Sequence, residues 1–328
     1  MGGPITGHTP TRGEIYRVGH FEMTGPGVSV VIPAYNSAET LIRALDSVAS
    51  QSRPAYEVIV VDDASTDSTA AVASGYQKLP VKLIRLAKNS GAAEARNRGV
   101  KAATGEFIAF LDADDEWLPS KLERQVALIN SDSSIAFVSC ESKLISNLGV
   151  DLGDIYRGHE VVSGALAWKA LLKDNFVTTP SVLVPKYLFE KLGGFDPKLK
   201  IAEDQDMWIR LAEHGSLGYV HECLVIVHER KSSLSSGAFS DQLTFTLPMI
   251  EGHLERLRAK LSAQDIVEIR GRRLQRLGQI AFSRGDSAVG RRLILQSVAM
   301  GYRPWEGLTY LAKSNAISTW LKRQLWSK

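Results

Sequence analysis

The sequence predicts an α/β protein of Rossmann-like design: a mostly parallel sheet with helices on both faces, followed by a C-terminal helical extension. Three observations carry this. Short β-branched runs alternate with stretches of helical periodicity from Val28 to about residue 140, the pattern of strands and crossover helices in a parallel sheet. Aspartates, asparagines and glycines cluster directly after those runs, on the rim where such sheets bind ligands. The 328 residues are 44% hydrophobic and 23% charged, with 27 Gly and 12 Pro, which supports a large core and excludes collagen-like and mainly disordered classes.

Residues 1–27 are rich in Gly, Pro and Thr without periodicity and read as a flexible leader. The first strand is expected at 28–33, and Ser37 is placed to cap a helix through Leu41, Leu45 and Val48. A second strand at 57–61 precedes Asp67, a cap for a short helix. Strand 81–86 leads to a helix at about 91–103, strand 107–111 to a helix at 120–129, and 135–139 is the fifth strand. Beyond 145 the rhythm loosens into helix 161–173, strand 181–184, helices 186–192 and 203–214, and strand-like runs at 217–220 and 224–228. From 241 onward the pattern is helical and basic, and no internal repeat is evident.

Two cysteines, Cys140 and Cys223, lie in apolar segments and cannot make a disulfide framework, so a reduced, cytoplasmic setting is expected. No apolar run approaches the ~18 residues of a membrane helix, and no Sec-type signal is seen. The net charge of +3 averages unlike regions: residues 1–250 carry 24 Lys+Arg against 30 Asp+Glu, residues 251–328 carry 15 against 6. An acidic body with a basic tail suggests that the tail faces something anionic.

The strand ends carry the chemistry. In order they read Pro33-Ala-Tyr35-Asn36, Asp62-Asp63-Ala-Ser65-Thr-Asp67, Asn89-Ser-Gly91 through Arg96-Asn97-Arg-Gly99, and Asp112-Ala-Asp114-Asp115. Each alone is an ordinary turn or helix cap. Four in succession on one rim are hard to obtain from capping alone. Two carboxylates one residue apart after a buried strand suit Mg²⁺ or Mn²⁺, with substrate phosphates completing the octahedron. Asp62 or Asp63 can accept from a base or a ribose, Tyr35 offers a ring face, and Arg96 can hold phosphate oxygens bidentately. Further on, Glu203 and Asp206 near a helix start are candidates for a general base, the alternative being that Glu203 and Asp204 only complement the helix dipole.

These segments resemble the successive motifs of family 2 glycosyltransferases, inverting enzymes of GT-A fold that use nucleotide-activated sugars and a divalent metal. The resemblance spans about residues 28–235 and includes Gly193-Gly194-Phe195-Asp196 and Glu203-Asp204-Gln-Asp206-Met-Trp208. It implies a donor site of Pro33, Tyr35, Asn36, Asp62, Asp63, Arg96 and Asp112, with Asp112 on the ribose side and Asp114 holding the metal. It also implies an acceptor side of Gly194, Phe195, Asp196, Glu203 and Trp208, with Asp204 as the base. His228 corresponds to a histidine some relatives use near the metal, although the segment His228 to Ser235 is longer than the family pattern. His228 is therefore either a ligand or a loop residue, and Arg230 and Lys231 are alternative phosphate partners. The donor is expected to be a UDP-sugar, and the acceptor a glycan or lipid-linked saccharide of surface or exopolysaccharide assembly. The expected organisation is a catalytic domain at 28–240, divided at 140 into nucleotide-sugar and acceptor halves, and a basic helical region at 241–328.

Residues 303–328 set Trp305, Leu308, Leu311, Ile317, Trp320, Leu321, Leu325 and Trp326 among Arg303, Lys313, Lys322, Arg323 and Lys328. This pattern fits a helix in a membrane interface, one packed on the catalytic domain, or a subunit contact in a homo-oligomer. No nucleic-acid module is present, and the acidic body argues against a phosphate-tracking surface. The glycine fingerprints of dinucleotide-binding and P-loop enzymes are missing, as is the Gln-x-x-Arg-Trp motif of processive synthases. A non-catalytic sugar-nucleotide binder of the same fold is the alternative to a non-processive enzyme.

Overall fold

A computed structural model describes residues 15–18, 21–24, 27–158, 160–229 and 239–325, with only the backbone course of 15–24 and 315–325. Within the segment expected as a leader, β1 (Ile15–Val18) pairs antiparallel with β2 (Phe21–Thr24). The rest of that segment lies outside the described residues, as do Arg230, Lys231 and Trp326.

Of two compact units, the sheet-bearing one runs through Leu171 and resumes from Asn175 to Ser236. Its elements in order are β3 (Val28–Ala34), α1 (Leu41–Ala49), β4 (Glu57–Asp62), α2 (Thr69–Gly75), β5 (Val81–Arg85), α3 (Ala92–Ala102), β6 (Phe107–Phe110), β7 (Glu116–Trp117), α4 (Lys121–Ser131), β8 (Ile135–Ile145), β9 (Asp151–Asp154), α5 (Ala167–Lys173), β10 (Leu183–Pro185), α6 (Lys186–Lys191), α7 (Glu203–His214) and β11 (Ser216–His228). The sheet order is β5-β4-β3-β6-β10-β8-β11-β7, with β9 paired to β8. Strands β3 to β6 pair in parallel, and β11 is parallel to β8. The expected mostly parallel sheet is interrupted where β10 inserts antiparallel between β6 and β8, and the short strands β7 and β9 add antiparallel to β11 and β8. Strand ends of β3, β4, β6 and β11 consequently share one rim.

Alternation of the strands divides the core. Val30, Ile32, Val58, Val60 and Ala109 pack with Leu41, Ala44, Leu45 and Val48 of α1 on one face. On the other face, α3 approaches closely at Gly99, where an added Cβ would lie 2.3 Å from Val31 Cγ1 and 3.3 Å from Val61 Cγ2.

Several local expectations change. Helix α1 begins at Leu41 without a side-chain cap; the Ser37 carbonyl accepts from Leu41 N (2.9 Å), while its hydroxyl donates to the Tyr35 carbonyl. Asp67 accepts from Thr69 N at 2.9 Å and from Ala38 N at 3.1 Å, tying the turns after β3 and β4 together. It is not the cap of α2, where Ser68 takes that position without a side-chain cap bond. The helix expected at 161–173 forms only from Ala167, after Gly164 turns with φ 79° and bridges to Leu217. The two runs at 217–228 are one strand, whose register shifts between Val220 and Val225 break the alternation.

The helical unit comprises Leu172–Asp174 with α8 (Phe239–Asp241), a π-turn at Gln242–Thr246, α9 (Leu247–Arg256), α10 (Ala263–Ser283), α11 (Ser287–Ala299) and α12 (Pro304–Leu325). A capping box starts α10: Ser262 Oγ accepts from Asp265 N (3.1 Å) and Asp265 accepts from Ser262 N (3.0 Å). Gly278 and Gly290 let α10 and α11 cross with almost no side-chain spacer. No helix among the described residues is long and apolar enough to cross a membrane.

Candidate active site

The rim is built first by carboxylates that the chain itself occupies. Asp62, at the end of β4, is fully buried; it accepts from Ser65 N (2.9 Å) and Arg85 Nε (3.0 Å). Asp63, also buried, accepts from Ser90 N (2.7 Å) and Gly91 N (2.8 Å), holding the loop that leads into α3. Asn36 does the same for the neighbouring turns, its Oδ1 accepting from Thr66 N at 2.9 Å and its N–H donating to Ser65 Oγ at 3.0 Å. Pro33 sits in β3 opposite Val61, and Tyr35 stands 46% exposed beside Asn36. Among non-glycine residues Asn36, Ala64 and Ala202 all adopt positive φ, at 48°, 61° and 65°. Asn36 and Ala64 lie within the rim motifs and Ala202 directly precedes Glu203, while a fourth such residue, Arg303, belongs to the helical unit. Strained backbone of this kind collects at functional sites.

Arg96 joins two parts of the site. It is buried on α3 and donates through Nη2 to Asp112 Oδ1 (2.7 Å) and through Nη1 to Glu203 Oε1 (3.0 Å). Its guanidinium lies over the Phe195 ring, 5.6 Å from the centroid. Burial opposes the charge, but Asp112 and Glu203 outweigh it and raise the pKa above its ordinary value. Next to it, Asn97 donates from Nδ2 to the Phe195 carbonyl (2.8 Å) and accepts from Phe195 N (3.0 Å), clamping the Gly194–Phe195 turn.

Asp112, Asp114 and Asp115 concentrate negative charge beyond β6. Asp115 is buried, and its pKa is pushed well above the usual range by burial and by Asp112 and Asp114. His228 N donates to Asp115 Oδ1 (3.1 Å), and Arg43 donates to the Asp114 carbonyl. His228 Nε2 pairs with Glu116 Oε1 at 2.9 Å, so the ring engages a neighbour of the Asp112-to-Asp115 cluster. Among the described residues, no three His, Cys, Asp or Glu side chains converge to hold a metal unaided. The site nonetheless suits a divalent cation completed by substrate oxygens: hard carboxylates crowd together, and their mutual repulsion is what a cation would relieve. The buried Nε atoms of Arg43 and Arg96 lack hydrogen-bond partners, consistent with a site that also takes an anion.

Helix α7 presents Asp204 at its first turn. Asp204 Oδ1 accepts from Gln205 N (2.6 Å), and Oδ2 accepts from Asn175 Nδ2 (3.2 Å). It keeps partial solvent access while protein crowds it. That burial and the adjacent Glu203 raise its carboxyl from 3.8 to about 7. Asp206 is not a base candidate: Arg210 binds it at 2.6 Å while also donating to the carbonyls of Leu192 and Gly194. Trp208 and Phe195 are corrected from acceptor-facing to core positions. They are 0% and 1% exposed and pack edge to face at 5.7 Å, with Phe110 against both rings. Gly194, φ 69°, has no room for a side chain beside Asn97, and Asp196 closes its own turn on Lys198 N.

Sequence reasoning missed Arg43 and Asn175, and it placed Asp115 in the strand-end motif without a role. Arg43 lies in the helix after the first motif and carried a weak positional signal. Asn175 follows α5 in a stretch with no periodicity, and nothing local points to it.

Comparison with known proteins agrees with this arrangement. The model of glycosyl transferase family 2 matches residues 29–163. A Bacillus subtilis glycosyltransferase assigned by name to teichuronic acid biosynthesis, TuaG, is 33% identical over 215 residues, 64% of this chain and 82% of the relative. The Escherichia coli β-1,3-glucosyltransferase WfgD, named for UDP-Glc and α-D-GlcNAc-diphosphoundecaprenol, is 29% identical over 216 residues, 65% of this chain and 81% of its own. The structure of Staphylococcus aureus TarS residues 1–349 with UDP-GlcNAc shares the fold. Its TM-score is 0.63 at 23% identity, covering 84% of this chain and 81% of TarS 1–349. With the strand-end motifs, the sheet order and a relative matched over four-fifths of its length all in agreement, the chain belongs to glycosyl transferase family 2, as a glycosyltransferase of GT-A fold.

Proposed function

We propose that the enzyme transfers one sugar at a time from a UDP-sugar to a hydroxyl of a lipid-linked glycan, with inversion at the anomeric carbon, in polysaccharide assembly at the cytoplasmic face of a bacterial membrane. The observation that carries this reading is the Arg96 bridge. One buried guanidinium joins Asp112, on the donor rim, to Glu203, beside Asp204. Donor carboxylates and candidate base are thus held at a distance fixed by a single side chain. Support for the substrates comes from WfgD, named for UDP-Glc and a diphosphoundecaprenol-linked acceptor, and from TarS with UDP-GlcNAc.

In this reading Tyr35 and the turns held by Asp62 and Asp63 border the nucleoside, and Asp112 accepts from the ribose side. Asp114 would hold Mg²⁺ or Mn²⁺ together with the donor diphosphate; when bound, such an ion offsets the charge of the departing UDP. Arg96 assists the same charge. Asp204, raised toward neutral pH, takes the proton from the acceptor hydroxyl as its oxygen attacks the anomeric carbon and the bond to UDP breaks. Asp62 and Asp63 act through loop geometry, since backbone N–H groups engage both Asp63 oxygens and Ser65 N and Arg85 engage those of Asp62, and His228 stays with Glu116. Trp305, 79% exposed, and Leu308, 43% exposed, would meet the anionic surface, whereas Leu311 is buried.

Thermal-shift measurement across UDP-, GDP- and dTDP-sugars, with Mn²⁺ or EDTA, tests the donor assignment. A UDP-sugar should raise the melting temperature only with Mn²⁺. Stabilisation by a GDP- or dTDP-sugar alone, or equal stabilisation in EDTA, would overturn it.

A further inference from the structure

The chain leaves the catalytic unit for three residues, Leu172–Asp174, which cluster with the helical unit, and rejoins the catalytic unit at Asn175. Helix α10 holds all three. Arg273 Nε donates to the Leu172 carbonyl at 2.9 Å, and Lys173 Nζ meets Glu268 Oε1 at 2.7 Å. Asp174 is buried; Arg272 binds its Oδ2, and Arg276 Nη1 donates to its Oδ1 at 2.7 Å. On either side, the chain meets the first turn of α7. Leu171 gives its carbonyl to Gln205 Nε2 (2.6 Å), and Asn175 donates from Nδ2 to Asp204 Oδ2 (3.2 Å).

We infer that the Arg272–Asp174–Arg276 clamp is a positioning device for Asp204, acting through the next residue, Asn175. This rests on the assignment of Asp204 as base. Asp174 is buried whereas the Arg272 and Arg276 side chains are 37% and 51% exposed. A buried carboxylate stripped of its partners is strongly unfavourable, so the two arginines fix where Asp174 sits and hence where Asn175 begins. The bond from Asn175 is near the long limit for its type, so a shift of a few tenths of an ångström makes or breaks it. The groups facing Asp204 are Glu203 from its own helix, Arg96 from α3, Asn175, and the Gln205 backbone N–H. Burial and Glu203 favour the proton, and the other three favour the anion. Withdrawing Asn175 tips that balance toward a neutral carboxyl, which cannot accept the hydroxyl proton. Asn175 and Asp174 are positioning residues, since neither is placed against the reacting atoms.

The test is a carboxyl ¹³C titration of Asp204 in the full chain, assigned by its loss in D204N, alongside UDP release from UDP-glucose and UDP-N-acetylglucosamine with Mn²⁺. Asn175→Ala should move the Asp204 midpoint up by about half a unit or more. Asp174→Asn and Arg276→Gln should move it the same way by less, with kcat falling and donor KM within about twofold. Unmoved midpoints in Asn175→Ala and Asp174→Asn, whatever their melting temperatures, overturn the inference. Should Asp174→Asn not fold, Arg276→Gln carries the same test. Full UDP release by D204N overturns the base assignment and this inference with it; an inactive D204N with unmoved midpoints overturns the inference alone.

Discussion

Replacing Asp204 by Asn should abolish turnover and make the protein more stable at neutral pH. The carboxyl stands at about 7 instead of 3.8, so the folded state holds its proton more tightly than the unfolded chain does. For a raised carboxyl the sign is fixed: folded protein binds more protons between the two values, and stability falls as pH rises through that window. The upper limit of this cost is about 4 kcal/mol at 1.36 kcal/mol per pH unit. Partial solvent access reduces it to roughly 1–2 kcal/mol. Asn keeps the shape and an acceptor oxygen for Gln205 N but carries no charge, so D204N should melt about 2–6 °C above wild type near pH 8. The difference should shrink as pH falls toward 4, where the wild-type carboxyl is also neutral. Wild-type activity should decline over the same acid range as the base takes up its proton. Differential scanning calorimetry from pH 4 to 8 with parallel rate measurements checks both limbs. A D204N variant that melts below wild type at pH 8, or that retains a tenth of the activity, would rule out a strained, proton-accepting carboxyl at Asp204.

Three further perturbations follow from the geometry. Ala202, at φ 65° directly before α7, should accept Gly with unchanged or slightly higher stability. Val there should cost about 1–2 kcal/mol in denaturant unfolding, and equal stability of the two variants would contradict the strain. Gly99→Ala places a Cβ 2.3 Å from Val31 Cγ1, so unfolding in urea should show a loss of about 1–3 kcal/mol. No loss would mean that α3 can lift off the sheet freely. Flotation with anionic liposomes should decrease for Trp305→Glu combined with Leu308→Ser and vanish with neutral lipid; unchanged flotation would exclude α12 as the membrane contact.

The fold was legible wherever side-chain period and strand-end chemistry agreed. Strands β3 to β6 alternate or run apolar between turn residues, and their helices carry apolar stripes, so both existence and order could be read. The antiparallel insertion of β10 could not, because strand order depends on pairings between residues far apart in sequence, such as Leu183 with Ala109 and Val138. A bulge divided β11 into two apparent strands by interrupting its period.

At the site, residue identities were more legible than roles. Asp62 and Asp63 fall at the expected strand end, yet their oxygens are turned to the backbone N–H groups of Ser65, Ser90 and Gly91 and to Arg85, a detail of loop path that spacing does not encode. Trp208 shares a helical stripe with Gln205, Ile209 and Ala212, which could have marked it as core. Likewise, Asp206 and Arg210 stand four residues apart, the spacing of a helical ion pair. Asn175 reaches Asp204 across 29 positions, and only the fold brings them together.

Inverting transfer from a UDP-sugar at this rim is read out by proton NMR of the first product formed from an α-linked UDP-sugar and a lipid-linked acceptor. A β-linked anomeric proton should appear in step with one UDP released, and neither signal should appear in D204N. An α-linked product, or transfer that persists in D204N, would contradict it.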